Sequence, residues 1–249
     1  DLGAGESILV SHRDGDRWPR ALVPTVEDAY RYLQDHYEYD VYFGVAPRVG
    51  DLETVERVPC VWADYDAKEF GGVLQAAYAA QQRYAAPPSF VVCSGHGYHV
   101  YWLLRQAVTP ESAQKLMRAV CVQTGADPTH NAKWRLRIPG GQNYKDPAHV
   151  VAVVLQESHP ERKYDAVDLL RLAAVPPDSA WLLWQTDLVK APGSKERYPS
   201  RSERDLAVLC ALVRAKVSEA TIEQLCTTMP FGERYREYGG LDKLHKYDL

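Results

Sequence analysis

The sequence has no apolar run that approaches the roughly 20 residues needed to cross a bilayer, and no basic-then-apolar segment opens it. These absences exclude a membrane-spanning protein and give no sign of a secretion signal. We therefore expect a cytoplasmic protein that has no membrane partner. Cysteine is scarce too, with five scattered residues and no C-x-x-C pair. That spacing argues against a structural zinc motif and a disulfide framework, so we expect reduced thiols and no zinc.

A global excess of positive charge is missing as well, because the 249 residues carry a net charge of −4. Any nucleic-acid site must then be local. Phenylalanine is rare, with 4 residues, whereas tyrosine and tryptophan number 16 and 6. Aromatic rings with a polar group suit half-exposed surfaces and base stacking, although tyrosine also fills strands and sheet edges. The remaining composition, 46% hydrophobic and 25% charged, is typical of a folded globular chain.

Hydrophobic periodicity and capping residues predict a mixed α/β domain over residues 1–190. The predicted helices cover residues 25–37, 69–84, 109–125 and 165–172. The predicted strands cover residues 40–46, 58–66, 89–93, 98–104, 134–138 and, as a buried strand, 150–156. Residues 191–201 predict a linker and residues 202–249 a small helical unit. A helical unit of under about 50 residues rarely stands alone, so we expect it to dock on the larger domain.

The segment Asp64-Tyr65-Asp66 ends an apolar strand. Because side chains alternate along a strand, the two carboxylates share one face and Tyr65 lies on the other. Two anions held this close repel each other unless a cation lies between them, and hard divalent cations such as Mg²⁺ bind carboxylates in this way. The plain alternative is a solvated strand end, since a D-x-D match is weak on its own.

A glycine-containing turn, Ser94-Gly95-His96-Gly97, joins two predicted strands. Glycines let a backbone turn approach another molecule closely. On the strand that follows, His99 and Tyr101 share a face, while Val100 and Trp102 point into a core. A histidine at the mouth of such a turn can donate a hydrogen bond to a phosphate oxygen, although a single histidine is more often structural.

Residues 127–145 read DPTHNAKWRLRIPGGQNYK, which contains four lysines and arginines and, after Asp127, no acid. Arg135 and Arg137 share one face of a predicted strand, and two parallel guanidinium groups fit phosphate oxygens. The opposite face is expected to be apolar and to carry Trp134, Leu136 and Ile138. The plain alternative is a basic edge strand that resists aggregation.

The three segments agree with one another, because each predicted strand has one polar and one apolar face. Placed in one sheet, they would form a charged surface with helices behind it. Carboxylates for a cation, next to arginines for phosphates, describe a site for a nucleoside triphosphate and a metal, with Asp127 as a third carboxylate. Agreement between independent segments counts for more than any single motif.

In these motifs the sequence resembles the archaeo-eukaryotic primase superfamily, in particular the primase-polymerases (PrimPol) and the RepB-type primases. The D-x-D/E pair of that family is matched by Asp64 and Asp66 in VWADYDAK, and its G/S-x-H strand by Gly97-Tyr98-His99. Its third motif, an acid upstream of an arginine strand and a P-G-x-x-N-x-K turn, is matched by Asp127 and RLRIPGGQNYK. The upstream YFGVAPRVG is also similar, and the resemblance covers about residues 40–249.

The resemblance implies a primase-type catalytic domain with an RRM-like mixed or antiparallel sheet flanked by helices, and a small primase C-terminal-like helical domain. It implies a DNA-dependent primase or polymerase that makes and extends primers on single-stranded DNA from NTPs or dNTPs. A helicase or another replication protein is a candidate partner.

The same resemblance assigns roles to individual residues. Asp64, Asp66 and Asp127 would hold two Mg²⁺ or Mn²⁺ ions and, with His99, form the catalytic set. The nucleotide-binding set would consist of His99, Arg135, Arg137, Arg48, Ser94, Gly97, Asn143 and Lys145. Many relatives have serine where Gly97 stands, so Ser94 is a candidate source of the missing hydroxyl.

Two other functions stay open at this stage. A module that binds single-stranded DNA or a replication origin without catalysis would keep the fold but need no third carboxylate. A D-x-D glycosyltransferase would bind a metal and a sugar nucleotide, but it would not need the arginine strand. The residue that discriminates NTP from dNTP is also open, with Tyr42, Tyr65 and Tyr101 as the candidates.

Overall fold

A computed structural model of the chain describes residues 2–127, 129, 131–184 and 201–238. Within these ranges the strands are β1 (Glu6–Arg13), β2 (Arg20–Val23), β3 (Asp40–Gly44), β4 (Arg48–Val49), β5 (Val58–Asp66), β6 (Phe90–Cys93), β7 (Gly97–Val108), β8 (Arg135–Arg137), β9 (Gln142–Asn143), β10 (Val151–Ala152), β11 (Val154–Ser158) and β12 (Lys163–Tyr164). The helices are α1 (Val26–Asp35), α2 (Leu74–Ala80), α3 (Pro110–Thr124), α4 (Ala166–Leu172), α5 (Pro177–Leu183), α6 (Arg201–Arg214), α7 (Glu219–Thr228) and α8 (Glu233–Tyr238). Two sheets with helices against them confirm the predicted α+β class.

The first sheet runs in the order β10-β9-β3-β1-β2, with β4 paired to β1 and β8 paired to β3. Helix α1 covers one of its faces, where Leu33 packs with Val41 and Ile138. The helix begins as predicted after Thr25, whose hydroxyl accepts a hydrogen bond from the Asp28 N–H at 3.0 Å. Because side chains alternate along each strand, this packing fixes which face of the sheet stays polar.

The second sheet is built around the 12-residue strand β7. Strands β5 and β6 pair with β7 in antiparallel fashion, β12 pairs with it in parallel, and β11 extends the sheet beyond β6. As predicted, Tyr65, Val100 and Trp102 are buried on the apolar side, where the Trp102 ring meets Tyr84 edge-on at 5.2 Å. This face forms the core, and the opposite face carries Asp64, Asp66 and His99 at the end next to the glycine turn.

Three local predictions are wrong. The helix predicted over residues 69–84 contains only α2 between two 3₁₀ helices, because Gly71 and Gly72 adopt φ of +68° and +76° and interrupt it. The buried strand predicted over residues 150–156 is two strands, β10 and β11, in different sheets, and most of β11 is exposed. Trp134 is 41% exposed instead of facing the core, because β8 begins only at the next residue.

The C-terminal helices pack on the rest of the described chain. The helical unit predicted over residues 202–249 contains α6, α7 and α8 in its described part, whereas residues 191–200 of the predicted linker lie outside the described ranges. Val208, Leu212 and Leu225 belong to the same hydrophobic cluster as the core of the second sheet. The helical unit is therefore docked, as expected from its small size.

A buried carboxylate on α4 fastens α7 in place. Asp168 accepts hydrogen bonds from the Ser218 N–H at 3.1 Å, from the Thr221 hydroxyl at 2.7 Å and from the Ser218 hydroxyl. Burial opposes ionisation of this carboxyl, but the hydrogen bonds from Ser218 and Thr221 outweigh it and lower the pKa of Asp168. Its negative charge lies at the N-terminus of α7, where the helix dipole favours an anion.

No helix in the described ranges combines the length and the apolar character that a membrane crossing requires. All five cysteines are free thiols, and Cys60 and Cys226 are buried. Burial raises the pKa of both of these thiols to about 12, so they stay protonated and unreactive at neutral pH.

Asp168→Asn is expected to lower the free energy of unfolding by about 1–3 kcal/mol at pH 7, because the amide loses the charge-assisted hydrogen bonds. Since folding lowers the pKa of Asp168, its contribution is present above the ordinary carboxyl pKa and is lost as the pH falls through the folded value. Urea titrations should therefore show the difference shrinking toward acid pH. The exposed Asp35→Asn is the matched control, and equal stability of Asp168→Asn and wild type at pH 7 would contradict this assignment.

Candidate active site

Three carboxylates come together at one end of the second sheet. Asp64 and Asp66 lie on the same face of β5, as predicted, and Asp127 follows α3. The Asp127 N–H donates a hydrogen bond to the Asp64 carbonyl oxygen at 2.8 Å, which forms an isolated β-bridge between the two residues. The structure thus brings together the acids of two motifs that are far apart in the sequence.

The chain after α3 is fixed from several directions. Gly125 ends the helix as predicted, with a φ of +77°. The Cys121 thiol donates to the carbonyl oxygen of Asp127 at 3.2 Å, and the Trp62 indole N–H donates to the carbonyl oxygen of Thr129 at 3.2 Å. These contacts hold the segment against β5 and set the position of its carboxylate.

Negative charge is crowded at this point. Burial, together with the carboxylates of Asp127 and Asp66, raises the pKa of Asp64 to about 7. Burial also raises the pKa of Asp127, with Glu69 and Asp66 adding to the effect and the Lys68 ammonium opposing it. The surroundings therefore leave part of the negative charge of the site uncompensated.

Two lysines compensate the negative charge of Asp66. Lys145 Nζ and Lys68 Nζ each lie 3.4 Å from Asp66 Oδ2, and Lys68 Nζ lies 4.0 Å from Asp127 Oδ2. Burial opposes ionisation of Asp66, but the Lys68 N–H and the two ammonium groups lower its pKa. Lys145 is thereby brought to the site, as predicted. Lys68 was not predicted to belong to the site, although its place two residues after the D-x-D pair was a signal.

His99 lies directly opposite Asp64. The register of β5 and β7 pairs the two residues, so their side chains share one face, and His99 Nε2 lies 4.0 Å from Asp64 Oδ1. Burial and the nearby Arg137 charge lower the pKa of His99 to about 3, which keeps the imidazole neutral at neutral pH. Its Nδ1 is buried and has no hydrogen-bond partner among the residues that the structure describes. A neutral imidazole of this kind can offer one N–H to an anion.

The arginine strand reaches the site from the other sheet. The prediction that all three polar strand faces lie in one sheet is wrong, because β8 pairs with β3 and aligns Arg137 with Tyr42. Arg137 Nε donates to Asp40 Oδ1 at 2.9 Å, and its charge acts on both Asp64 and His99. The candidate site thus takes residues from both sheets.

Arg135 lies two residues before Arg137 on β8. It shares a face with Arg137, as predicted, and its guanidinium donates to the Ser11 hydroxyl at 3.2 Å. Asp64 and His99 respond to the charge of Arg137, whereas Arg135 is coupled to Arg20, Tyr42 and Glu53. Of the two arginines, Arg137 is therefore the one at the site.

Arg48 does not fit its predicted role as a phosphate contact. The side chain is buried, and its guanidinium donates to three carbonyl oxygens, of Ala46 at 2.5 Å, Lys133 at 3.0 Å and Leu52 at 3.1 Å. These bonds tie the chain around β4 to the segment before β8. The arginine has a structural role, and each of its three nitrogens already donates a hydrogen bond to the backbone.

Asn143 also departs from its predicted role. Its amide N–H donates to the carbonyl oxygen of Ser94 at 2.5 Å, and its Oδ1 accepts from the Lys145 N–H at 3.0 Å. With both ends of the buried amide engaged, Asn143 holds the glycine turn and the segment that carries Lys145 against each other. Ser94 itself is buried in that turn, and its contact with phosphate stays a prediction.

Gly97 is required by the close approach of two backbones. It pairs with Asp66 in the register of β5 and β7. A Cβ atom at this position would lie far inside van der Waals contact with the Tyr65 carbonyl oxygen. The glycine therefore keeps β5 and β7 together at the level of the carboxylates, and the serine found in many relatives of the resembled family would not fit here.

The chemistry of the three carboxylates fits a hard divalent cation, since carboxylate oxygens are the ligands that Mg²⁺ and Mn²⁺ prefer. The raised pKa of Asp64 indicates negative charge that a cation would balance, and Lys68 already places a positive group between Asp66 and Asp127. As arranged, however, no set of three or more His, Cys, Asp or Glu groups in the described part of the chain is close enough to hold a metal ion.

The chain is similar in structure to solved primase domains. The AEP domain of the primase-polymerase (PrimPol) of cyanophage S-2L superposes with a TM-score of 0.54 at 17% sequence identity, over 67% of this chain and 89% of that one. The catalytic domain of primase RepB′ in complex with initiator DNA gives a TM-score of 0.49 at 20% identity, over 68% and 85% of the two chains. Primase RepB′ gives 0.49 at 19% identity, over 68% and 57%.

No family model matches the sequence, and no curated protein matches it either. The likeness to the cyanophage domain confirms the predicted primase-type catalytic fold, and at this level of identity it shows the fold alone.

Asp64→Asn is expected to stabilise the metal-free protein at pH 8, by on the order of 2 kcal/mol, because it removes a charge that is disfavoured by burial and by the neighbouring carboxylates. Folding raises the pKa of Asp64 to about 7, so wild type loses stability between the ordinary carboxyl pKa and about pH 7. The gain should therefore be full at pH 8 and vanish near pH 4. Urea unfolding in a chelator tests this, and Asp35→Asn is the control. If Asp64→Asn is no more stable than wild type at pH 8, the charge of Asp64 is already compensated in the metal-free protein.

Gly97→Ala is expected to lower the free energy of unfolding by about 3 kcal/mol or to prevent folding, because the methyl group meets the backbone of β5. Gly50→Ala is the matched control: it has a φ of +73° but open space, so only its backbone strain of about 1 kcal/mol should appear. Thermal or urea unfolding measures both. Equal losses for the two variants would show that the strands can separate to admit a side chain.

Proposed function

We propose that this chain is a nucleotidyltransferase that copies single-stranded DNA, as a primase or a primase-polymerase. The observation that carries the proposal is the convergence of Asp64, Asp66 and Asp127 beside His99. The fold shared with a cyanophage primase-polymerase domain supports it. A nucleophilic side chain is not needed for this chemistry, which depends on positioning and on charge.

In the proposed reaction, the oxygen of a 3′-hydroxyl group forms a bond to the α-phosphorus of an NTP or a dNTP. The bond from that phosphorus to the oxygen bridging to the β-phosphorus breaks, pyrophosphate leaves, and the hydroxyl proton passes to solvent. Asp64, Asp66 and Asp127, with their side chains closer together than they lie here, would hold two Mg²⁺ or Mn²⁺ ions. These ions would supply the positive charge that eases ionisation of the hydroxyl and balances the leaving group. The carboxylates would also orient the two reactants toward each other.

Basic and neutral donors around the carboxylates would hold the triphosphate. Arg137 is oriented by its bond to Asp40 and presents a planar guanidinium, which suits phosphate oxygens. Neutral His99 would donate one N–H without adding a charge that repels a cation. Lys68 and Lys145 are more than half exposed and can reach a phosphate when they leave Asp66.

Two of the three tyrosines remain candidates for the residue that discriminates NTP from dNTP. Tyr65 is buried in the core on the face away from the carboxylates, so it cannot contact a nucleotide bound there. Tyr101 shares the face of His99 and has a buried hydroxyl without a hydrogen-bond partner among the described residues. Tyr42 lies beside Arg137 on the first sheet. The ring of Tyr101 or of Tyr42 could therefore contact the ribose of the nucleotide.

A primer-synthesis assay tests the proposal. The protein is mixed with single-stranded DNA, labelled nucleotides and Mg²⁺ or Mn²⁺, with and without an annealed primer. Asp64→Ala and Asp66→Ala are expected to lower product formation by at least on the order of 100-fold with the fold intact by circular dichroism, since each removes a carboxylate that would hold the cations, and with them the positive charge that the transition state needs. Asp35→Ala, at the exposed last residue of α1, is the control.

The possible outcomes separate the candidate functions. Metal-dependent products without a primer identify a primase, and extension of a supplied primer alone identifies a polymerase. Synthesis at the wild-type level by either aspartate variant would overturn the assignment of the carboxylates. DNA binding without any product would favour the non-catalytic binding module. Thermal stabilisation by a UDP-sugar with Mn²⁺, but not by a dNTP with Mn²⁺, would favour the glycosyltransferase.

A further inference from the structure

The face of the first sheet opposite α1 carries a row of polar side chains. Strand pairing aligns Arg20 of β2 with Ser11 of β1, Ser11 with Tyr42 of β3, and Tyr42 with Arg137 of β8. Directly paired residues place their side chains on the same face of a sheet. The row therefore runs from Arg137 at the candidate active site to the outer strand of the sheet.

Trp18 lies over this row. It belongs to the connection between β1 and β2, and Arg135 Cζ lies 5.1 Å from the centroid of its ring. The Trp18 and Tyr42 ring centroids are 5.3 Å apart, and Arg137 Cζ lies 5.1 Å from the Tyr42 centroid. In these four side chains, Arg135, Trp18, Tyr42 and Arg137, two neighbouring aromatic rings lie between two guanidinium groups, and we call them the Trp18 platform.

The platform remains accessible despite these contacts, since Trp18 is 40% exposed. An exposed indole held in place by neighbouring groups has little rotational entropy to lose when a second ring stacks on it. Ser11 beneath it is fully buried and bonded to Arg135, so the platform rests on a rigid strand. This arrangement suits a flat ligand.

The charge around the platform is positive. Arg13 and Arg20 flank it on β1 and β2, in addition to its own two arginines. Asp40 pairs with Arg137, and Glu53 pairs with Arg20. Within the described ranges, Arg135 has no carboxylate within ion-pair distance and bonds only the neutral Ser11 hydroxyl. The surface therefore favours an anion with exposed rings.

We propose that the Trp18 platform stacks a base of single-stranded DNA and guides that strand to the carboxylates. Base stacking on aromatic side chains, combined with a positively charged groove, is how single strands are bound without sequence preference. Duplex DNA does not fit, because its bases are stacked on each other. This inference rests on the proposed function, since it identifies the surface that would receive the template.

Fluorescence anisotropy of a labelled single-stranded oligo(dT) of 12 nucleotides tests the platform in the absence of nucleotide. Trp18→Ala is expected to weaken binding by about 5- to 150-fold, the loss of one stacked base. Trp18→Phe keeps a ring and should recover most of the affinity. Trp134→Ala is the matched control, because Trp134 is 41% exposed but contacts no ring or guanidinium in the described structure. The Trp134→Ala variant should bind the oligonucleotide with the affinity of wild type.

Other outcomes overturn the inference. Equal affinity of Trp18→Ala and wild type for the oligonucleotide would exclude the platform as a DNA contact. A loss of dATP binding in the presence of Mn²⁺, with DNA binding unchanged, would show that the ring takes the incoming base instead. Equal losses for Trp18→Ala and Trp134→Ala would show a non-specific aromatic effect.

The inference and the proposed function fail in different ways. Wild-type protein that binds the oligonucleotide through Trp18 but makes no product in the primer assay would refute the function and leave the platform supported. Wild-type protein that makes product while Trp18→Ala binds DNA normally would refute the platform and leave the function supported. Circular dichroism and thermal unfolding should show intact folding of every variant, since both tryptophans are exposed.

Discussion

The antiparallel pairing of β5 with β7 is the constraint on which the candidate site depends. It sets Asp64 opposite His99 and Asp66 opposite Gly97. A slip of one residue would turn the carboxylates into the core and bring Tyr65 to the surface, at the cost of a buried aromatic ring and of two unpaired buried charges. The same pairing concentrates like charges, and the raised pKa of Asp64 is the consequence. Lysines and, in our proposal, metal ions resolve that repulsion.

Much of the second sheet and its helix could be predicted from sequence, because local signals and tertiary packing agree there. The β5 bounds follow from an apolar run that ends in charges, and α3 from Thr109, Pro110 and Gly125, which the structure uses as cap, first residue and stop. The placement of Asp127 beside Asp64 was a prediction from a motif rather than from any local rule. The turn it lies in is held by contacts from distant residues, such as the Trp62 indole, that no short window of sequence contains.

The first sheet was harder to predict for two physical reasons. Its strands β8, β9 and β10 have two or three residues each, which is too short for a periodic pattern. Two polar side chains that were predicted to bind the nucleotide also make hydrogen bonds within the protein instead. Arg48 donates to three carbonyl oxygens, and Asn143 connects two turns. A sequence shows that such a side chain can donate hydrogen bonds, but not which acceptor receives them. The β1–β2 hairpin, with Trp18 after its turn, was not predicted, although its Asp14-Gly15 pair is a turn signal and Gly15 adopts a φ of +58°.

The two sheets are interleaved along the chain, and this has a consequence for how the protein is made. The first sheet takes its strands from residues 6–49 and 135–152, and the second from residues 58–108 and 154–164. Neither sheet is one continuous stretch, so the chain cannot be cut into two pieces that each contain a whole sheet. On the ribosome, β3 emerges long before β8, and its open edge is available to other strands in the meantime. Arg137 arrives with the last strands of its sheet, so the site can be completed only after β8 has left the ribosome.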